Sequence, residues 1–279
     1  MKSKKELLNT VSPVAIIVTA DDGGVGKTTL AVQVVTAFRL AGQPLDLFQM
    51  DSKGKLAAKS GERVTSLLVS DQQVSRSDDL VPSDVIAPWY RSTTAMQQSH
   101  RSTLLEVGGA LGSLFHAGIV DVDLAEDIDT LKLTIIPLVV CKAGEDSAVQ
   151  LLRELARLER NLPNAKPIIV LNEVVGNPVD AAQYLADDLR KHFTDALKKY
   201  STIRVPKVRA RSMAFYERMH ALPSEIVGWH ANDYEEAIRR TGRPRDESKI
   251  FVKDIAEWSG LMQTQIERVL PLLGGGGNG

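Results

Sequence analysis

A chain of 279 residues, 43% hydrophobic and 25% charged, is long enough for one large α/β domain or two small ones and can bury a core. Its formal charge of −1 excludes a global pull toward nucleic acid or anionic lipid, so binding of that kind must come from a local patch. The single cysteine, Cys141, excludes an intramolecular disulfide framework and suits a reducing compartment.

Residues 1–12 read as an N-terminal extension. The apolar run in PVAIIVT (13–19) is too short and too late for a signal peptide and reads as a buried strand. No run approaches the ~20 apolar residues of a membrane span, so a cytoplasmic location is expected. A loop at 20–27 leads into a helix from Thr28 to Leu40, closed by Gly42 and Pro44, and PLDLFQMD (44–51) is a second strand. Residues 53–100 are largely polar, with two short apolar pieces, VTSLLVS and DVIAPWY, that suit one or two further strands. STLLEV (102–107) is a strand opening into Gly108 and Gly109. Then come a strand at 131–140, a helix at 144–162, a strand at 166–174, a helix at 180–200 and a strand at 201–206. Beyond these the pattern is helical over 213–222, 231–241 and 248–271, and GGGGNG (274–279) is a flexible tail. There is no internal repeat. Alternating strands and helices predict a doubly wound α/β fold, a mostly parallel sheet with helices on both faces, followed by extra C-terminal helices.

Between the first strand and the first helix lies TADDGGVGKTTLAV (19–32). Backbone N–H groups of a glycine-rich turn and of a helix N-terminus form a phosphate cradle. Gly23, Gly24, Val25, Gly26, Lys27, Thr28 and Thr29 supply it, with Lys27 reaching the phosphates and the Thr28 hydroxyl ligating Mg²⁺. Asp21 stands where the general G-x-x-x-x-G-K-[ST] pattern has its first glycine.

GGVGKTT followed by a second strand ending in Asp51 resembles the ParA/MinD family of deviant Walker A P-loop ATPases. QMDSKGKL (49–56) is similar to that family's D-x-D-P-Q-G-N segment, with Gln49, Ser52 and Lys53 departing from it. IIPLVVCKAGEDSAVQLL (135–152), IIVLNEV (168–174) and VPKVRA (205–210) resemble later family elements in the family's order. The resemblance implies a nucleotide-binding domain over 13–215, with a helical extension over 216–273 packed on it. It implies ATP and Mg²⁺ as cofactors, with Lys27 and Asp51 catalytic, Asp51 acting on the attacking water. Thr28, Asp51 and Glu106 of STLLEVGG would hold the metal, Glu106 replacing the family's aspartate. Asn172, Pro206 and Val208 would lie at the base. It further implies a slow ATPase in plasmid or DNA segregation or cargo positioning, with ATP or ADP bound, a partner protein and an ATP-sandwich homodimer.

Asp22 occupies the position of the family's signature lysine, which reaches across that dimer. Either Asp22 faces the partner's phosphates and opposes the dimer by about 4 kcal/mol per like-charge contact at ~4 Å and an effective dielectric of ~20, or it points away and costs little. Lys53, Lys55 and Lys59 are candidates for the missing positive charge. A non-hydrolysing nucleotide-dependent adaptor of plasmid maintenance or conjugation is the alternative function, and an ATP-dependent metabolic synthetase on the same fold a third.

Arg209, Arg211, Arg239, Arg240 and Arg243 fall in basic segments that suit non-specific DNA binding, against the alternative of a solvated face. The apolar stripe of 249–272 has Asp254, Glu257 and Glu267 on its polar side, which favours packing over an anionic membrane. The five histidines have no metal-ligand spacing.

Overall fold

The computed structural model describes residues 11–51, 54–68, 80–230 and 234–270. β1 (Ala15–Thr19) is fully buried and its side chains alternate between two cores, Ile16 and Val18 on one face of the sheet and Ala15 and Ile17 on the other. α1 (Lys27–Leu40) is buried without interruption from Leu30 to Phe38, an apolar helix enclosed on all sides. β2 (Leu45–Met50), α2 (Lys55–Ser60) and β3 (Val64–Ser66) follow. The next elements are α3 (Pro82–Thr94), α4 (Met96–Ser99), β4 (Ser102–Val107), α5 (Gly112–Asp121) and α6 (Leu124–Thr130). β5 (Ile135–Lys142), α7 (Glu145–Asn161), β6 (Ile168–Asn172), α8 (Pro178–Ala181), α9 (Asp187–Lys199) and β7 (Ser201–Val205) complete the alternation.

Among the described residues seven strands form one all-parallel sheet in the order β3-β2-β4-β1-β5-β6-β7. After β1 the chain first builds toward β2 and later toward β5, so the winding reverses at β1. In open α/β sheets such a reversal leaves a crevice at the carboxyl ends of the strands.

The expected strand at DVIAPWY is instead part of α3. Pro82 begins that helix, and Val85, Ile86, Trp89 and Thr93 fall on one buried face at helical spacing. VTSLLVS supplies the three residues of β3, and its last two residues lie outside the described ones. β5 starts later than expected, after Lys132 turns the chain at φ +53°, and runs two residues further, to Lys142. Ser52, Lys53, most of the N-terminal extension and the glycine-rich tail also lie outside the described residues.

The C-terminal part is helical, as α10 (Ala210–Arg218), α11 (Pro223–Gly228), α12 (Glu235–Thr241) and α13 (Arg245–Val269). The apolar stripe of α13 faces the domain: Phe251, Ile255, Trp258, Met262 and Ile266 share a core with Leu30, Val34 and Phe38 of α1. Ile250 and Leu261 remain half-exposed. α13 also covers the outer edge of the sheet. The Gln265 side chain accepts from the Arg204 backbone N–H at 2.7 Å and donates to the Arg204 carbonyl at 2.7 Å, pairing groups that β7 would otherwise present to solvent. Among the described residues no helix is long and apolar enough to cross a membrane.

Trp258 is buried and meets the Tyr216 ring edge-on at 5.4 Å between centroids. Trp258→Ala is expected to cost about 3–5 kcal/mol of stability through the cavity it leaves, measured by denaturant unfolding. A cost below about 1 kcal/mol would show that α13 is not part of the cooperative core.

Candidate nucleotide-binding site

The loop from β1 to α1 is shaped from its backbone upward. Gly26 sits at φ +95° and forms the N-cap of α1, a conformation that side chains rarely tolerate. A Cβ there would lie 2.5 Å from Asn172 Nδ2, which donates to the Val25 carbonyl at 2.7 Å. Asn172 Oδ1 in turn accepts from the Val174 N–H at 3.1 Å, so the end of β6 holds the loop from one side. No side chain caps α1, and its first turn carries no acidic residue. An uncapped helix N-terminus behind a glycine turn offers N–H donors to an anion, which fits a phosphate chain.

Lys27 is buried, and its Nζ donates to the carbonyls of Ala20 (3.0 Å) and Asp22 (2.8 Å). Burial pulls its pKa down, against the opposing pull of Glu106, Asp22, Asp21 and Asp51. Thr28 Oγ1 donates to Glu106 Oε1 at 2.5 Å. Glu106 stands near the end of β4, in register with Val18 of β1 and Gln49 of β2, and is only 5% exposed. Its carboxyl is pushed up to about 7, first by burial and further by Asp51, while the Thr28 hydrogen bond and Lys27 oppose the shift. A hydroxyl and a carboxylate meeting beside the cradle are a suitable donor set for Mg²⁺.

Asp21 and Asp22 both find cations within the chain. Asp21 pairs with Arg157 of α7 at 2.9 Å, and Asp22 pairs with Lys142 at the end of β5 at 2.8 Å. Behind Asp21 lies a buried polar cluster. Glu154 of α7 is fully buried, accepting from Thr19 Oγ1 at 2.8 Å and lying 3.1 Å from His116 Nε2. Asn161 contacts the other ring nitrogen of His116 at 3.1 Å. Burial works against ionisation of Glu154, but the hydrogen bonds from His116 and Thr19 and the charge of Arg157 bring its pKa below the usual value. Asp21 goes the other way: burial and Glu154 raise it, and Arg157 compensates only in part. The turn after β4 fits closely against this loop. A Cβ on Gly109 would stand 3.0 Å from the Asp22 carbonyl oxygen, and one on Gly112 would stand 2.6 Å from Asp21 Oδ1.

The structure therefore brings Gly23 through Thr29, Glu106 and Asn172 to one end of the sheet. Asp51 directly follows β2 and adds to the electrostatic environment of Glu106. Pro206 follows β7, whose Val205 is in register with Asn172, and the Val208 side chain enters the core on the α1 face. Lys59 packs over the Tyr216 ring, its Nζ 4.9 Å from the centroid, and Lys55 is exposed at the start of α2. Each arginine of the expected DNA-binding set has a carboxylate partner: Arg209 with Asp254, Arg211 and Arg243 with Glu247, Arg239 and Arg240 with Glu236. Among the described residues no cluster of three His, Cys, Asp or Glu side chains could hold a metal ion.

Sequence reasoning missed Lys142, Glu154, Arg157 and His116. The available signals were a lysine closing a strand of β-branched residues and a glutamate on the buried face of α7, between Leu151 and Leu155.

A model of the CobQ/CobB/MinD/ParA nucleotide binding domain matches residues 16–206, well over half of the chain. The chain belongs to this family. Among solved structures it is similar to the MinD cell division protein of Aquifex aeolicus, with 18% identity over 88% of this chain and 97% of that one and a TM-score of 0.48. MinD in the MinC:MinD complex of the same organism matches at 18% identity over 82% and 94%, with a TM-score of 0.45. A putative plasmid partition protein from Borrelia burgdorferi B31, bound to AMPPNP, matches at 10% identity over 92% and 100%, with a TM-score of 0.48. No curated protein matches the sequence.

Two predictions test the site's electrostatics. Glu106 binds its proton more tightly in the folded chain than in the unfolded one, so the unfolding free energy falls as pH rises from 4.5 through about 7. In nucleotide-free protein Glu106→Gln is expected to raise stability by on the order of 3 kcal/mol near pH 8 and to change it little near pH 4. Equal stability of the two proteins near pH 8 would count against a buried charge at this position. Arg157→Ala leaves Asp21 and Glu154 without their shared cation and should cost about 1–3 kcal/mol, recovered in part by adding Asp21→Asn. Additive losses in the double variant would show that the pair does not interact.

Proposed function

We infer that the chain is a Mg·ATP-binding protein of the ParA/MinD kind, a slow ATPase that segregates plasmid or other DNA or positions intracellular cargo. The observation that carries this reading is the Thr28–Glu106 hydrogen bond beside an uncapped glycine-turn helix N-terminus, which joins the metal donors to the phosphate cradle. Residues 13–215 form the nucleotide-binding domain and residues 216–273 its helical extension.

Bound Mg·ATP would supply the transferable phosphoryl group and the divalent charge that neutralises it. Lys27, released from the Ala20 and Asp22 carbonyls, binds the phosphates, and Gly23–Thr29 cradle them. Thr28, Glu106 and Asp51 hold the metal, and Asp51 also orients water. Asn172 keeps the loop in place at the base side, next to Pro206 and Val208. Hydrolysis in such sites depends on positioning and on stabilising spread negative charge.

The second reading, a nucleotide-dependent adaptor without turnover, is favoured by the placement of Asp22 against Lys142, which leaves no lysine at the signature position to reach a partner subunit. The carboxylate partners of Arg209, Arg211, Arg239, Arg240 and Arg243 weaken the field that non-specific DNA would meet, so DNA is the less supported ligand. A partner protein and a homodimer remain part of the proposal.

Phosphate release and ATP binding by the purified protein, with and without duplex DNA, test both readings. Lys27→Ala is expected to weaken ATP binding at least about tenfold. DNA-stimulated turnover supports the segregation ATPase, tight ATP binding without turnover supports the adaptor, and no ATP binding at all overturns both.

A further inference from the structure

Asp22 holds two ammonium groups at once. Its carbonyl accepts from Lys27 at 2.8 Å, and its carboxylate Oδ2 lies 2.8 Å from Lys142 Nζ. Lys142 ends β5, which pairs with β1 directly. The alternation Leu138, Val140, Lys142 puts its side chain on the α1 face of the sheet, the face that carries the loop. Its backbone is fixed, because its N–H donates at 3.0 Å to the hydroxyl of Ser147, a buried residue of α7. Its side chain and that of Asp22 are 33% and 24% exposed, so the pair is open to exchange with a ligand from solvent. An ordinary surface ion pair of this exposure would contribute little. This one stands at the entrance of an anion cradle, and Asp22 supplies negative groups to both lysines.

We propose that Asp22 is a built-in stand-in for the phosphate chain, and that Lys142 is a phosphate-binding residue supplied within the same subunit, held by Asp22 until nucleotide takes it over. The inference rests on the nucleotide reading above. A triphosphate entering the cradle competes with the Asp22 carbonyl for Lys27 and with the Asp22 carboxylate for Lys142. Asp22 then lowers affinity, by holding both cations and by its own charge, and Lys142 raises it. The positive charge that relatives of the ParA/MinD kind take from a second subunit is present here in one chain, on the neighbouring strand.

Calorimetric titration of Mg·ATP and Mg·ADP into four proteins tests this: the natural chain, Asp22→Asn, Lys142→Gln and the double variant. Asp22→Asn is expected to bind ATP several-fold more tightly than the natural chain. The double variant is expected to bind ATP about tenfold more weakly than Asp22→Asn, with a smaller loss for ADP, which carries one negative charge fewer. If the double variant binds ATP as well as Asp22→Asn, Lys142 does no more than neutralise Asp22 and the proposal fails. It fails equally if Asp22→Asn binds no more tightly than the natural chain. Absence of ATP binding in both the natural chain and Asp22→Asn would remove the nucleotide reading itself, a result distinct from either of these. Thermal unfolding of the four proteins checks that all are folded.

Discussion

Parallel pairing of β1 with β4 on one side and β5 on the other is the constraint from which the site follows. Parallel strands present their carboxyl ends at one edge, and a two-residue side-chain period decides which residues reach the α1 face there. Glu106, Lys142 and Asn172 arrive on that face because Leu104, Val140 and Val170 do so two residues earlier, inside the core. The loop between β1 and α1 is thus surrounded by groups from three strands before any ligand is considered. Its acidic side is Glu106, its cationic side is Lys142, and its amide tether is Asn172.

Burial then governs the chemistry of these groups. A charge taken out of water must find a partner or lose its ionised form. Glu106 follows the second course in part, and Lys27 is opposed by the carboxylates around it. Glu154 follows the first, with Thr19, His116 and Arg157 gathered about it. The Asp21–Arg157 contact ties the start of the phosphate loop into this cluster, so α5 and α7 support the loop from beneath through polar contacts as well as packing. A divalent cation beside Glu106 would favour its ionised form, coupling metal binding to loss of a proton.

Most of the fold was legible in the sequence because β-branched runs and the glycine-rich loop are local signals. The seven-strand order was not, since neighbours such as β1 and β4 pair across more than eighty residues. DVIAPWY misled because a short apolar run fits strand and helix alike, and the deciding feature, a helical face spread over Val85, Ile86, Trp89 and Thr93, extends beyond the run. Within the site, Lys27 and Thr28 were expected from motif spacing and Glu106 from the family resemblance. Lys142 and Arg157 could not be, since their role depends on which strand and helix lie beside the loop, and the expected strand stopped two residues short of Lys142. The Asp22 carboxylate turns toward Lys142 at the end of β5 of its own chain, a third arrangement beside the two expected orientations.

The pairing of Asp22 with Lys142 has a consequence for how such a loop can change. A lysine placed at 22 would bring a second ammonium near Lys142 and remove the carboxylate that now faces it, so the two side chains would repel each other toward solvent. Gly109 already leaves no spare room at the Asp22 carbonyl, so the loop has little freedom to retreat in that direction. Residue 22 and residue 142 are therefore coupled electrostatically rather than independent: a change of charge at one alters the field at the other.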